Sequence, residues 1–124
     1  MYLTEDEIRD NAKVILGFDE KDSGVKQGTG QITTFNQLGF KGVSDKPDGW
    51  YLPNDKQDIA IILETKSEKE DVFSENHYAE LVKNVEIAAQ QYKRVVGILY
   101  NGTDVRVIKY IKGSGQYEEI ADVA

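Results

Sequence analysis

The chain has 124 residues, with 22 Asp and Glu against 15 Lys and Arg, a formal net charge of −7 and no cysteine. One domain is expected at that length, and the missing cysteine excludes a disulfide scaffold, a thiolate zinc site and a cysteine nucleophile. The acid excess argues against a domain that grips nucleic acid by bulk charge alone. An apolar fraction of 40%, with seven Tyr, four Phe and one Trp, provides a core that a disordered acidic chain lacks. No apolar run reaches the roughly 20 residues of a membrane span. Met1 to Asp6 has no basic stretch of the kind that opens a signal peptide, so a cytoplasmic protein without a membrane partner is expected.

Thr4 to Phe18 reads as a helix. Thr4 with Glu7 makes a capping-box pattern, and Glu5, Asp6 and Glu7 suit the positive end of the helix dipole. Ile8, Ala12 and Ile15 recur at helical spacing, Val14 and Leu16 widen the stripe, and Gly17 is a stop. Glu5, three residues before Ile8, falls on or beside the buried face, an odd place for an ordinary surface acid. Asp19 to Thr29 is polar and reads as a loop. Gly30 to Phe35 reads as a short strand, and Asn36 to Lys46 as irregular chain or a poor edge strand.

Asp48 to Leu52 has a strand pattern, and Pro53 to Gln57 is a turn cluster. Asp58 to Leu63 is a nearly continuous apolar run, the mark of a strand buried on both faces. It ends abruptly in Glu64-Thr65-Lys66. Together these predict a β-hairpin whose second strand is central. Ser67 to Asn76 is a charged loop, with Glu68 to Asp71 as a solvated cluster. A second helix is expected from about Ser74 to Tyr92, with Tyr78, Leu81, Val82, Val85, Ala88, Ala89 and Tyr92 at helical spacing. Arg94 to Tyr100 is a buried strand and Asn101-Gly102 a hairpin turn. Val105 to Ile111 returns with Val105, Val107 and Ile111 on one face. Lys112 to Gly115 breaks the pattern, and Gln116 to Ala124 adds a short edge strand or frays. The order predicts one α/β domain spanning 1–124, a mixed sheet of four to five strands flanked by helices, with a βαβ-like crossover through the second helix. The ending is compatible with a module of a longer protein.

The chemistry concentrates at the end of the central strand. Side chains alternate along a strand, so Glu64 and Lys66 share a face. Asp48, on the neighbouring hairpin strand, comes within reach of Glu64. Two carboxylates bind a hard cation such as Mg²⁺ or Mn²⁺, and the Thr65 carbonyl offers a third ligand. Such a cation polarises a phosphoryl oxygen and acidifies a bound water, while Lys66 orients or deprotonates that water and offsets phosphate charge. Taken singly, a turn Asp and a strand-end Glu-x-Lys are more often a turn and a solvated ion pair; the combination is what points to a site.

Pro47-Asp48 followed by Ile-Ile-Leu-Glu64-Thr-Lys66 resembles the PD-(D/E)xK nuclease superfamily. That resemblance implies a restriction-endonuclease-like αβββαβ core and a Mg²⁺-dependent endodeoxyribonuclease, with Asp48 and Glu64 as metal ligands and Lys66 as the catalytic lysine. More narrowly, the chain is similar to the N-terminal nuclease domain of restriction–modification proteins, as in type I motor subunits. Glu5 with Arg9 matches the early glutamate of that subgroup, and Gln90, Gln91 and Tyr92 precede the strand that ends in Asn101-Gly102. The subgroup's Gln-x-x-x-Tyr spacing is not kept, since position 88 is Ala. The resemblance covers roughly residues 4 to 110.

Other candidates rank lower. His77, the one histidine, is expected to be structural or solvated. Gly24 to Gly30 fits neither the P-loop nor the dinucleotide spacing and reads as a flexible loop, where Lys26 and Gln27 are weak candidates for a DNA phosphate. Of Trp50 and Tyr51, one is expected in the core and the other beside the site. The function expected is a DNA endonuclease module of a restriction–modification complex whose other domains or subunits hold the DNA. The alternatives are a catalytically inactive interaction domain of the same fold and a phosphoesterase acting on RNA.

Overall fold

The computed structural model describes residues 3–18, 24–113 and 117–120. The first helix, α1, spans Glu5–Ile15 and begins in the expected capping box, with the Glu7 N–H donating to Thr4 Oγ1 and the Glu7 side chain accepting from the Thr4 N–H, each at 3.2 Å. This arrangement satisfies two of the amide donors a helix start leaves open. Its buried residues are Ile8, Arg9 and Ala12.

Six strands follow: β1 Val25–Thr29, β2 Gly49–Pro53, β3 Ala60–Thr65, β4 Arg94–Tyr100, β5 Val105–Ile111 and β6 Tyr117–Ile120. They form one sheet in chain order. Every neighbouring pair is antiparallel except β3–β4, which is parallel and joined by the second helix, α2, Glu75–Ala88. Parallel neighbours need such a crossover. The protein is therefore α/β with a six-stranded mixed sheet, one strand more than the upper end of the expected four to five.

The added strand β1 lies at 25–29, where a loop was expected, and Gly30 to Phe35 is not a strand. Cross-strand packing decides this. Gly28 faces Trp50, and a Cβ at Gly28 would stand 3.0 Å from the indole ring, so the glycine makes room for it. Ile32 is exposed, while Phe35 turns into the core and leads into a 3₁₀ turn, Asn36–Leu38. The Phe35 and Asn36 N–H groups donate to the carbonyls of Asp45 and Val43, closing 35–45 into a compact loop. Of the expected loop 19–29, break 112–115 and tail 116–124, residues 19–23, 114–116 and 121–124 lie outside the described ones.

Alternation along β3 divides the core between two faces. Ala60 and Ile62 join Leu81, Val85 and Ala88 of α2, with Phe35, Phe40, Trp50, Val95 and Leu99. Leu63 points the other way and packs with Ala12 of α1 and Phe18. The apolar stripe of α1 is narrower than expected. Val14 and Ile15 are 67% and 72% exposed, while Leu16 packs against the cluster of Ala12, Phe18 and Leu63; α1 meets the sheet mainly at β1 and β3. Ile111, expected to share a face with Val105 and Val107, is partly exposed, while Val107 and Ile108 are buried.

α2 stops at Ala88, one turn short of expectation, and Tyr92 lies beyond it with its hydroxyl donating to the Pro53 carbonyl. At Asn101-Gly102 the buried Asn101 side chain builds the turn. Its Oδ1 accepts from the N–H groups of Thr103 and Asp104, and its Nδ2 donates to the Glu70 carbonyl at 2.8 Å. Gly102 takes the left-handed φ of 91° that the turn requires. Among the described residues no helix is long and apolar enough to cross a membrane.

Candidate metal-binding and catalytic site

The hairpin register brings the proposed carboxylates to one end of the sheet. Gly49 pairs with Leu63, so Asp48 arrives level with the end of β3. Glycine is needed there, since a Cβ at position 49 would come within 2.8 Å of the Leu63 side chain. Asp48 Oδ2 accepts from the Thr65 N–H at 2.8 Å and from Thr65 Oγ1 at 3.2 Å. In an extended strand a residue's N–H and C=O leave the same edge, and the next residue uses the other. The Lys66 N–H accordingly donates to Tyr100 of β4, and the Thr65 carbonyl lies on the Asp48 edge.

α2 holds the other face. The Asn84 Nδ2 donates to Glu64 Oε1, and the Lys66 Nζ pairs with Glu80 Oε2 at 2.8 Å. Four residues of helix rise about 6 Å, and two residues of strand about 6.6 Å. Glu80 and Asn84 therefore match Lys66 and Glu64 as α2 returns antiparallel to β3. Glu64 and Lys66 do share a face, as the strand period requires.

From α1, the buried Arg9 reaches Asp6 at 2.8 Å, Glu5 at 3.5 Å and Asp48 at 3.7 Å. Charge is thus balanced around Asp48 but not around Glu64. Burial, and then the nearby Asp48 carboxylate, push Glu64 up to about 9. Glu5 is also raised, first by partial burial and then by Asp48. Burial pulls the Lys66 ammonium down, but its hydrogen bond and charge pair with Glu80, with Glu5 and Glu64 behind it, outweigh that and hold its pKa above the ordinary lysine value.

The structure thus brings Asp48, Glu64, Thr65 and Lys66 together. Glu5 stands at the margin, tied to Arg9. Among the described residues no group of three or more His, Cys, Asp and Glu side chains is placed to hold a metal ion. The available oxygen set is two carboxylates and the Thr65 carbonyl. Mg²⁺ suits so sparse a set because it keeps several waters and commonly takes one or two protein carboxylates, and Mn²⁺ accepts the same ligands. Burial and the Asp48 charge favour the protonated form of Glu64, and a cation held by the two carboxylates would favour the ionised form.

Asn84 and Glu80 were not picked out from the sequence. Asn84 carries a signal nonetheless, as a polar residue three after Leu81 and four before Ala88 on the buried stripe of α2. Other candidates go elsewhere. Gln91 donates to the Gly39 carbonyl, and Gln90, Gln91 and Tyr92 precede β4, at the opposite end of the sheet from Glu64. Lys26 donates to the Leu38 carbonyl, and Gln27 pairs with Tyr51 within β1–β2, so Gly24 to Gly30 is not the flexible loop expected. Trp50 is core, and Tyr51 stacks on Phe18, at 6.0 Å between ring centroids. His77 pairs with Glu70 at 3.0 Å. In the cluster 68–71, Lys69, Glu70 and Asp71 are exposed as expected, whereas Glu68 is half-buried and accepts from the Leu3 N–H. No protein-family model, curated protein or solved structure matches the chain.

Proposed function

We propose that the chain is a Mg²⁺-dependent DNA endonuclease module of the PD-(D/E)xK type, serving a restriction–modification complex. The observation that carries this reading is the crowding of the Asp48 and Glu64 carboxylates at one strand end, close enough that Asp48 helps to raise Glu64, with the Lys66 ammonium on the same face. The order α1, β1–β2–β3, α2, β4 supports a restriction-endonuclease-like αβββαβ core, to which β5 and β6 are additions.

Bound Mg²⁺ supplies Lewis-acid polarisation of the phosphoryl group and a more acidic water. Asp48 and Glu64 would hold it, with the Thr65 carbonyl beside them. Thr65 fixes Asp48 through two hydrogen bonds, and Asn84 fixes Glu64. Lys66 is a cation at neutral pH, so its part is to donate to a non-bridging phosphate oxygen and to offset charge in the transition state, rather than to take a proton. The water oxygen bonds to phosphorus as the phosphorus–3′-oxygen bond breaks, and one water proton ends on the 3′-oxygen. The products are a 5′-phosphate and a 3′-hydroxyl.

A net charge of −7 leaves little for phosphate contacts, so other domains or subunits hold and select the DNA. The test is nicking of supercoiled plasmid with Mg²⁺ or Mn²⁺, with Lys66→Ala alongside. Weak, metal-dependent nicking by the wild type alone is expected. Equal nicking by both proteins would overturn the mechanism, and cleavage of RNA in place of DNA would redirect the substrate.

A further inference from the structure

Asn84 is 5% exposed and sits on the helix face that otherwise presents Leu81, Val85 and Ala88 to the core. Only half of its amide is satisfied. Nδ2 donates to Glu64 Oε1, whereas the buried Oδ1 has no hydrogen-bond partner among the described residues. A buried acceptor left unpaired is destabilising, and an apolar side chain would continue the stripe without that cost. The orphaned oxygen belongs to the same side chain that holds Glu64. We infer that Asn84 is a positioning residue for the cation's hydration shell: one end of its amide orients Glu64, and the other accepts a hydrogen bond from a water carried by the divalent cation. Mg²⁺ and Mn²⁺ keep waters when protein ligands are few, and those waters need acceptors. The inference rests on the reading of Asp48 and Glu64 as cation ligands. It adds that α2, and not only the hairpin, is part of the binding site.

The test is Mn²⁺ titration calorimetry at fixed pH on wild type, Asp48→Ala, Asn84→Leu and Asn84→Asp, each checked for folding by urea denaturation. Asn84→Leu removes both halves of the amide and Asn84→Asp keeps the acceptor oxygen while removing the donor. Mn²⁺ affinity is expected to fall about tenfold or more in Asn84→Leu, with an unchanged or raised urea midpoint, and to be retained in Asn84→Asp. Asn84→Leu binding within about twofold of wild type would overturn the inference, and so would an Asn84→Asp loss as large as that of Asn84→Leu, which would leave Asn84 only as a donor to Glu64. Should Asn84→Leu fail to fold, the Asn84→Asp affinity decides alone. Wild-type protein that takes up no Mn²⁺ removes the cation reading and the inference together. Uptake abolished by Asp48→Ala but untouched by Asn84→Leu removes the inference only.

Discussion

Asp48 and Thr65 are locked together: one carboxylate oxygen of Asp48 accepts from both the N–H and the hydroxyl of Thr65, at 2.8 and 3.2 Å. The contact ties the start of β2 to the end of β3 and fixes where the second carboxylate oxygen meets Arg9. A register slip of one residue would turn Glu64 away from α2, so this lock and the Gly49–Leu63 pairing together set the distance between Asp48 and Glu64.

Asp48→Asn keeps a side-chain oxygen for Thr65 but removes the charge. Glu64 is then expected to titrate at lower pH than in the wild type, since Asp48 is, after burial, the main cause of its elevation. Carbon NMR of the Glu64 carboxyl across pH measures this. An unmoved Glu64 titration would show that burial alone sets it.

Glu64 also makes a prediction about stability. An unfolded Glu loses its proton near 4.5, whereas the folded protein keeps it up to about 9. Between those values the native state binds more protons, so the stability supplied by the protonated carboxyl is full below 4.5 and is lost as pH rises toward about 9. Glu64→Gln is expected to flatten the metal-free stability curve in that window, removing a slope of at most roughly 1.4 kcal/mol per pH unit. Urea denaturation at several pH values gives the comparison, and parallel curves for the two proteins would contradict the assignment.

The Lys66–Glu80 pair should matter for charge more than for stability. Glu80 is about half exposed, so Glu80→Gln is expected to cost no more than about 1 kcal/mol. The same change lowers the Lys66 pKa, because the pair with Glu80 is what outweighs burial. Nitrogen NMR of the lysine ammonium tests this, and a Lys66 value unchanged by the substitution would contradict it.

Gly97, in the middle of β4, sits directly under α2. A Cβ there would meet Val85 Cγ2 at 2.6 Å and the Ile108 and Leu81 side chains at 3.1 Å. Gly97→Ala is expected to lower stability by about 1–3 kcal/mol through overpacking, read as a lower urea midpoint. No change would mean that α2 can move off the sheet at little cost.

The parts of the fold that were legible in sequence are those carried by local chemistry. Thr4 and Glu7 announce the start of α1, and the apolar run before Glu64 announces a central strand that delivers Glu64 and Lys66 to one face. β1 was hidden because Val25–Thr29 has little strand propensity of its own; its place depends on Trp50 packing over Gly28 from the next strand. Helical periodicity put Ile15 on the buried stripe of α1 with Val14 widening it, but it does not encode where the helix meets the sheet, and both are exposed. Asp48, Glu64 and Lys66 could be assembled from the hairpin pattern alone. The helix side of the site could not, because Glu80 and Asn84 meet β3 only through the angle and direction of α2.

The most direct measurement is the melting temperature of wild type and Asp48→Ala with and without millimolar Mg²⁺ or Mn²⁺. A ligand that binds the folded state alone stabilises it by mass action. A rise in the wild type that Asp48→Ala lacks is expected if the two carboxylates hold a cation. No rise in the wild type, or an equal rise in both proteins, would contradict it.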